Sequence, residues 1–274
     1  MNRLIARRLA LTLLLLPCGA LAQEGDEALS GAEVVFLGEV HDNPAHHERQ
    51  SALVGELKPT ALVFEMLTTD QAARIHPEHL KDAAAMAEAL EWDDSGWPDF
   101  AMYYPIFTAA PEAAIFGAAL PREEARQVQG GDLAAIFGET AGFYGLDEPL
   151  PLEIMGEREA LQKSAHCDAL PADMLPVMVG IQRLRDARLA ETALEALAVH
   201  GGPVVVITGN GHARKDWGAP AMVHMAAPEV RVAALGQGEG GTPPDGGFDA
   251  VEDSPAVERE DPCKAFSGDG SPAN

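Results

Sequence analysis

The sequence predicts an α/β protein with a largely parallel central sheet, flanked by helices and carrying a smaller helical lobe. Three observations lead there. Short apolar, β-branched runs recur along the chain, the pattern of strands buried on both faces. Segments of helical composition separate them, and strands alternating with helices build βαβ units. Several runs end where glycines and ionisable residues begin, and the carboxyl edge of a parallel sheet is where ligands sit.

Taken in order, residues 1–22 are set apart from the fold. Arg3, Arg7 and Arg8 precede an apolar core from Leu9 to Leu16, and Ala20-Leu21-Ala22 offers a small-residue cleavage site. That is the layout of a secretory signal peptide, too short to remain as a membrane span. Cys18 raises a lipid anchor, but Pro17 stands where a small residue would precede a lipidated cysteine. Export to the periplasm without an anchor is the expectation.

The first strand is Val34 to Gly38, and Glu39, His41 and Asp42 follow it at once. Asn43-Pro44 reads as the N-cap and first position of a helix that runs to Leu57. After Lys58-Pro59 a second strand, Ala61 to Phe64, ends in Glu65. Asp70 to Leu90 is alanine-rich and helical, interrupted near Pro77. The aromatic stretch Trp92 to Pro105 carries Trp97, Phe100, Tyr103 and Tyr104, and it belongs with a helical lobe over about 68–110. Those rings either cap the lobe against the sheet or offer a wall to a flat apolar ligand.

A third strand is predicted at Ala113 to Gly117, then helix from Arg122 to Phe137 broken at Gly130-Gly131. The segment from Gly138 to Pro151 reads as a flexible loop with Tyr144 near glycines. Asp173 is the expected N-cap of a long helix reaching about Val199. Its Val177, Ile181, Leu184, Leu194 and Leu197 recur near the 3.6-residue period, and Gln182 and Asp186 share a different face, with Arg185 beside them. The fourth strand, Pro203 to Thr208, runs into Gly209-Asn210-Gly211-His212. A fifth, Val230 to Leu235, completes the sheet. The α/β domain is thus expected over 23–237. The glycine-, proline- and acid-rich 238–274 reads as a mostly disordered tail.

The formal charge of −24 argues against nucleic acid or an anionic membrane as partner. Once Cys18 leaves with the leader, Cys167 and Cys263 are an even pair in an oxidising compartment, and a disulfide between them is predicted.

Parallel strands put all their carboxyl ends on one edge, so Glu39, His41, Glu65 and His212 converge there from three strands. Any one of them alone is commonly a solvated loop residue, but their recurrence at strand ends is not. Together they suit three kinds of work: holding zinc or iron that activates water, metal-free acid–base catalysis, or shaping a polar pocket. The chain has no nucleophile elbow, CxxC, P-loop or dinucleotide fingerprint.

Gly38-Glu39-Val40-His41-Asp42-Asn43 with His47 and Gln50, together with Gly209-Asn210-Gly211-His212-Ala213-Arg214, resembles the ChaN family of haem-binding uptake proteins. That family lies in the Tiki and erythromycin-esterase-like superfamily. Phe64-Glu65-Met66 with Gln71, His166-Cys167, Met174-Leu175-Pro176 and Gln182 to Asp186 extend the likeness over about Val34 to Leu235. The resemblance implies an exported protein of haem or iron uptake that can dimerise around haem and work with outer-membrane uptake machinery. Superfamily relatives are hydrolases that use the strand-end positions, here Glu39, His41, Glu65 and His212.

Haem iron accepts His, Tyr, Met or Cys. Tyr103, Tyr104 and Tyr144 are therefore candidate oxygen ligands, and His46, His47 and His76 candidate nitrogen ligands. Asn210, Gln182, Arg185 and Asp186 are the further cofactor-contacting candidates. Two readings stand open: a haem carrier, which needs an exposed axial ligand and an apolar wall, and a metal-dependent or acid–base hydrolase, which needs the quartet in a cleft.

Overall fold

The computed structural model describes residues 28–261 with Cys263 and Lys264. The expected signal peptide, Cys18 included, lies outside the described residues. Six strands form one sheet: β1 (Val34–Glu39), β2 (Ala61–Phe64), β3 (Ala114–Gly117), β4 (Val204–Gly209), β5 (Val232–Glu239) and β6 (Ala250–Ser254). They lie in the order β3-β2-β4-β1-β5-β6, and every pairing is parallel. The central strands β1 and β4 are buried along their whole length, as continuous apolar runs covered on both faces must be. The register sets Glu39 opposite Gly209 and Phe64 opposite Ile207, so β1 and β4 end level with one another and β2 ends two residues earlier on the same edge.

The helices are α1 (Pro44–Leu57), α2 (Thr69–Ala72), α3 (Ala83–Ala89), α4 (Phe100–Ala109), α5 (Arg122–Gln127), α6 (Leu133–Phe137), α7 (Leu152–Ala165), α8 (Leu175–His200), α9 (Asn210–Ala213) and α10 (Ala219–Ala226). Strand alternation divides the core between the two faces. Phe36, Val63, Val204 and Val206 meet α8 and α10 on one side. Leu37, Leu62, Phe64 and Ile207 meet α1, α3 and α4 on the other. The helical lobe is therefore the cover of that second face, with Phe107 stacked on Phe64 at 4.2 Å between ring centres.

Local chemistry explains the boundaries. The Asn43 side chain accepts the Ala45 N–H at 3.0 Å and Pro44 occupies the first turn, where no N–H is needed. The long helix departs from expectation: Asp173 lies in a 3₁₀ turn, Ala172–Met174, and α8 begins after it at Leu175. Pro176 in the first turn fixes the helical φ without a side-chain cap.

The C-terminal stretch expected to be disordered is folded in part. β5 continues to Glu239 and β6 adds an edge strand. Polar side chains, not an apolar run, order it. Arg49 grips Glu252 through two nitrogens at 2.8 Å. Asn43 donates to Glu239 at 2.6 Å and to Ser254 at 3.0 Å. Arg259 binds both Asp42 and Glu239 at 2.6–2.7 Å. Cys167 and Cys263 are joined by a disulfide, with Cα atoms 5.4 Å apart. Among the described residues no helix is long and apolar enough to cross a membrane.

Candidate functional site

The end of β1 delivers Glu39 into a buried position, where one carboxylate oxygen carries two bonds. His41 Nδ1 lies 2.8 Å from Glu39 Oε1, and the Tyr103 hydroxyl donates to the same atom at 2.8 Å. The other oxygen, Oε2, faces His47 Nδ1 at 3.4 Å, and both atoms are buried without a hydrogen bond among the described residues. His47 Nε2 donates to the His41 carbonyl at 2.8 Å, which holds the turn after β1 in place. His41 rests on the end of β4. A Cβ at Gly209 would lie 2.9 Å from His41 Nε2, so glycine is required for this approach. The imidazole stands edge-on to Trp97, 4.8 Å between ring centres.

Glu65, just past β2, accepts from the Thr208 hydroxyl at 2.7 Å and the Gly209 N–H at 2.9 Å. Beyond β4, His212 turns Nε2 toward Glu65 Oε1 at 3.6 Å and Nδ1 onto Asp186 Oδ1 at 2.6 Å. Burial pushes the Glu65 carboxyl up, but His212, His41, Gly209 and Thr208 outweigh it and bring it down to about 2. Burial opposes the charged form of His212 too, and Glu65 and Asp186 more than reverse that, raising it. In His41, burial is likewise overcome, here by the Glu39 bond and the field of Glu65. Asp186 is raised, chiefly by burial. A continuous line of acids and imidazoles thus runs Asp186–His212–Glu65, and across Gly209 lies the second line, His41–Glu39–Tyr103.

Two cavities open here, one lined by Glu65 and one by Asp186, the two partners of His212. One, of about 450 Å³, is lined by Glu65, Gln71, Trp97, Arg122, Arg185 and Leu189 among others. The second, of about 440 Å³, lies between α7 and α8 and takes in Arg158, Gln182, Asp186, Asn210, Arg214 and Trp217.

The structure thus brings Glu39, His41, Glu65 and His212 to one rim and sets Asp186 against His212. It separates the other candidates. Tyr103 is wholly buried, its hydroxyl committed to Glu39. Tyr104 donates to the His79 carbonyl at 3.3 Å. Tyr144 sits not in an open flexible loop but in a 3₁₀ turn, 5 % exposed and edge-on to Phe137. Burial, with Glu191 nearby, pushes its hydroxyl up to about 12, which opposes the phenolate that iron binds. His46 is a buried brace, accepting from the Val40 N–H at 2.9 Å and meeting Ser254 at 2.9 Å. His47 is buried between Glu39 and Tyr103. His76 is exposed and lies beside His79 on the far part of the lobe. Asn210 spends its amide on the backbone of Gln237 at 2.8 and 2.9 Å.

The zinc or iron set expected from His41, His212, Glu39 and Glu65 is not formed. Among the described residues no group of three or more His, Cys, Asp or Glu could hold a metal ion. The reason is that these acids and imidazoles face one another as partners instead of sharing one point. Thr208, Arg158 and Trp217 join the site without being singled out by the sequence, whereas Gly209 belongs to the motif after the fourth strand. For Thr208 a signal existed, a hydroxyl at the end of the most apolar strand; for Arg158 there was none.

A family model described as haem-binding uptake, Tiki superfamily, ChaN matches residues 27–223. Among solved structures the chain is similar to ChaN of Campylobacter jejuni, described with cofacial haem binding, at a TM-score of 0.63 and 20% identity. That match covers 84% of this chain and 90% of the other. The type III effector HopBA1 gives a TM-score of 0.46 at 16% identity, covering 88% of this chain and 96% of that one. No curated protein matches the chain.

Proposed function

We propose that this chain, which belongs to the ChaN family of haem-binding uptake proteins in the Tiki superfamily, binds haem through His41 at the carboxyl edge of its sheet. The observation that carries this reading is the setting of the His41 ring. Glu39 holds Nδ1 at 2.8 Å, Nε2 makes no protein hydrogen bond among the described residues, and the side chain is 35% exposed. A carboxylate on one ring nitrogen with the other left outward is the arrangement behind metal-ligating histidines. Haem brings four nitrogens to its own iron, so one outward imidazole suffices where a bare zinc needs three or four protein donors. Trp97 and Leu189 give the neighbouring cavity an apolar wall, and Arg122 and Arg185 on the same lining suit the carboxylates of the macrocycle.

Export through residues 1–22 to the periplasm, a second copy facing the bound haem, and exchange with outer-membrane uptake machinery complete the role we assign. Haemin titration followed at the Soret band tests it. Wild type should show a saturable shift, His41→Ala should bind about tenfold or more weakly, and Tyr104→Phe and Tyr144→Phe should match wild type. A featureless wild-type titration, or one that His41→Ala leaves untouched, rejects the reading.

One observation favours a second reading, acid–base hydrolysis: the Asp186–His212–Glu65 line. Asp186 orients His212, and a charged His212 has a proton to give to a leaving alkoxide while the ionised Glu65 takes the proton that the attacking water loses. Hydrolysis of p-nitrophenyl acetate by wild type, Glu65→Gln and His212→Ala decides it, since equal rates in all three leave the line without a catalytic role.

A further inference from the structure

We propose that the cavity between α7 and α8 binds a small organic monoanion, a carboxylate on an apolar body, at a site separate from the His41 edge. Its volume of about 440 Å³ falls in the range of small-molecule sites. Leu161 and Ala165 of α7, Val179 of α8 and the Trp217 indole make its apolar wall, and Arg158, Arg214 and Gln182 its polar end.

Arg158 is the side chain that calls for a ligand. It is 6% exposed, its Nη2 donates to the Trp217 carbonyl at 2.7 Å, and its Nε is buried with no hydrogen-bond partner among the described residues. A buried guanidinium N–H left without an acceptor is costly, and such donors are ordinarily satisfied. The carboxylate nearest Arg158, Asp186, stands 3.9 Å away and is committed to His212 at 2.6 Å. Arg214, also buried, gives two nitrogens to Asp216 and stacks on the Trp217 ring at 3.7 Å, while Arg158 lies 5.2 Å from the same ring. Burial and the field of Arg214 both work against the charge on Arg158, and Arg158 in turn bears on buried Arg183 of α8. Among the described residues Gln182 makes no protein hydrogen bond, so its amide is available to a ligand.

The lining also selects the class of anion. Asp186 and exposed Asp245 both belong to it and oppose a dianion such as phosphate. The apolar walls give an inorganic ion nothing to touch, but they suit a hydrocarbon chain or ring. A bidentate guanidinium–carboxylate contact is what remains.

Isothermal titration of the full chain with sodium octanoate, and with 1-octanol as the uncharged counterpart, tests the site. Octanoate should bind saturably, and Arg158→Met should weaken it about tenfold while changing 1-octanol less than about threefold. Because Arg158 also braces Trp217, a fold-neutral variant is needed: Ala165→Trp, at an exposed position on the rim, should fill the mouth and abolish binding with thermal unfolding unchanged. His41→Ala should bind octanoate as wild type does, whatever its haemin affinity. Absence of saturable octanoate binding, or undiminished binding in Ala165→Trp, overturns the proposal.

Discussion

Glu65 carries a residue-scale consequence that can be read in stability. Its carboxyl has an ordinary value of 4.5 and is drawn down to about 2 in the fold, because His212, His41, Gly209 and Thr208 together outweigh the burial that opposes its charge. A depressed folded value means the stabilisation is fully present above about 4.5 and is lost as pH falls toward about 2. The size is roughly 3 kcal/mol, at about 1.4 kcal/mol per unit. Urea unfolding of wild type should therefore weaken steeply between pH 4.5 and pH 2, and Glu65→Gln should be less stable at pH 7 yet flatter across that window. Parallel pH profiles for the two proteins would show that Glu65 is not held ionised by its neighbours. Gly209→Ala works on the same rim by shape. Its methyl would stand 2.9 Å from His41 Nε2 and 3.0 Å from Cε1, so the ring must give way. Haemin affinity should fall about tenfold while the unfolding midpoint moves little, and an unchanged Soret titration would place the haem contact elsewhere.

At the scale of elements, β6 is held by side chains that the motif after β1 provides. Asn43 caps α1 as its place before Pro44 predicts, and with Asp42 it also docks the C-terminal segment through Arg259, Glu239 and Ser254. Arg259→Ala should raise amide exchange along β6, lowering its opening free energy by about 1–2 kcal/mol, while β1 and β4 keep their protection. Unaltered exchange in β6 would mean that its ladder to β5 alone suffices. The same elements show what a sequence can disclose. Five strands, α1 with its Asn43-Pro44 start, and the meeting of Glu39, His41, Glu65 and His212 were legible because local patterning and parallel topology determine them. β6 was not, since no apolar run marks it and its partners lie about 200 positions away. α7 was not assigned either, as it buries little besides Arg158. For the tyrosines the sequence leaves accessibility open for a similar reason: whether a phenol is open to a ligand depends on what packs over it, and neither Phe137 over Tyr144 nor Glu39 beside Tyr103 can be foreseen from spacing.

Across the whole molecule, one covalent link joins the C-terminal segment to the turn between α7 and α8. Cys167 and Cys263 are 96 positions apart, and closing a loop of that size restricts the unfolded chain by up to about 4–5 kcal/mol. The bridge also touches function unevenly. Cys167 follows directly on α7, whose Leu161, Gln162 and Ala165 line the arginine-bearing cavity, whereas His41 and Glu39 are fixed by β1 and Tyr103. An acidic chain that gathers Arg158, Arg183 and Arg214 in one buried corner depends on the two helices around them keeping their spacing. Reduction, or Cys167→Ser with Cys263→Ser, should lower the unfolding free energy by about 2–4 kcal/mol at pH 7. It should also weaken octanoate several-fold, on the order of the loss from about 1 kcal/mol of added ordering cost, and leave the haemin titration where it was. Equal weakening of both ligands would show that the bridge stabilises the molecule as one unit, and would remove the distinction between the two sites.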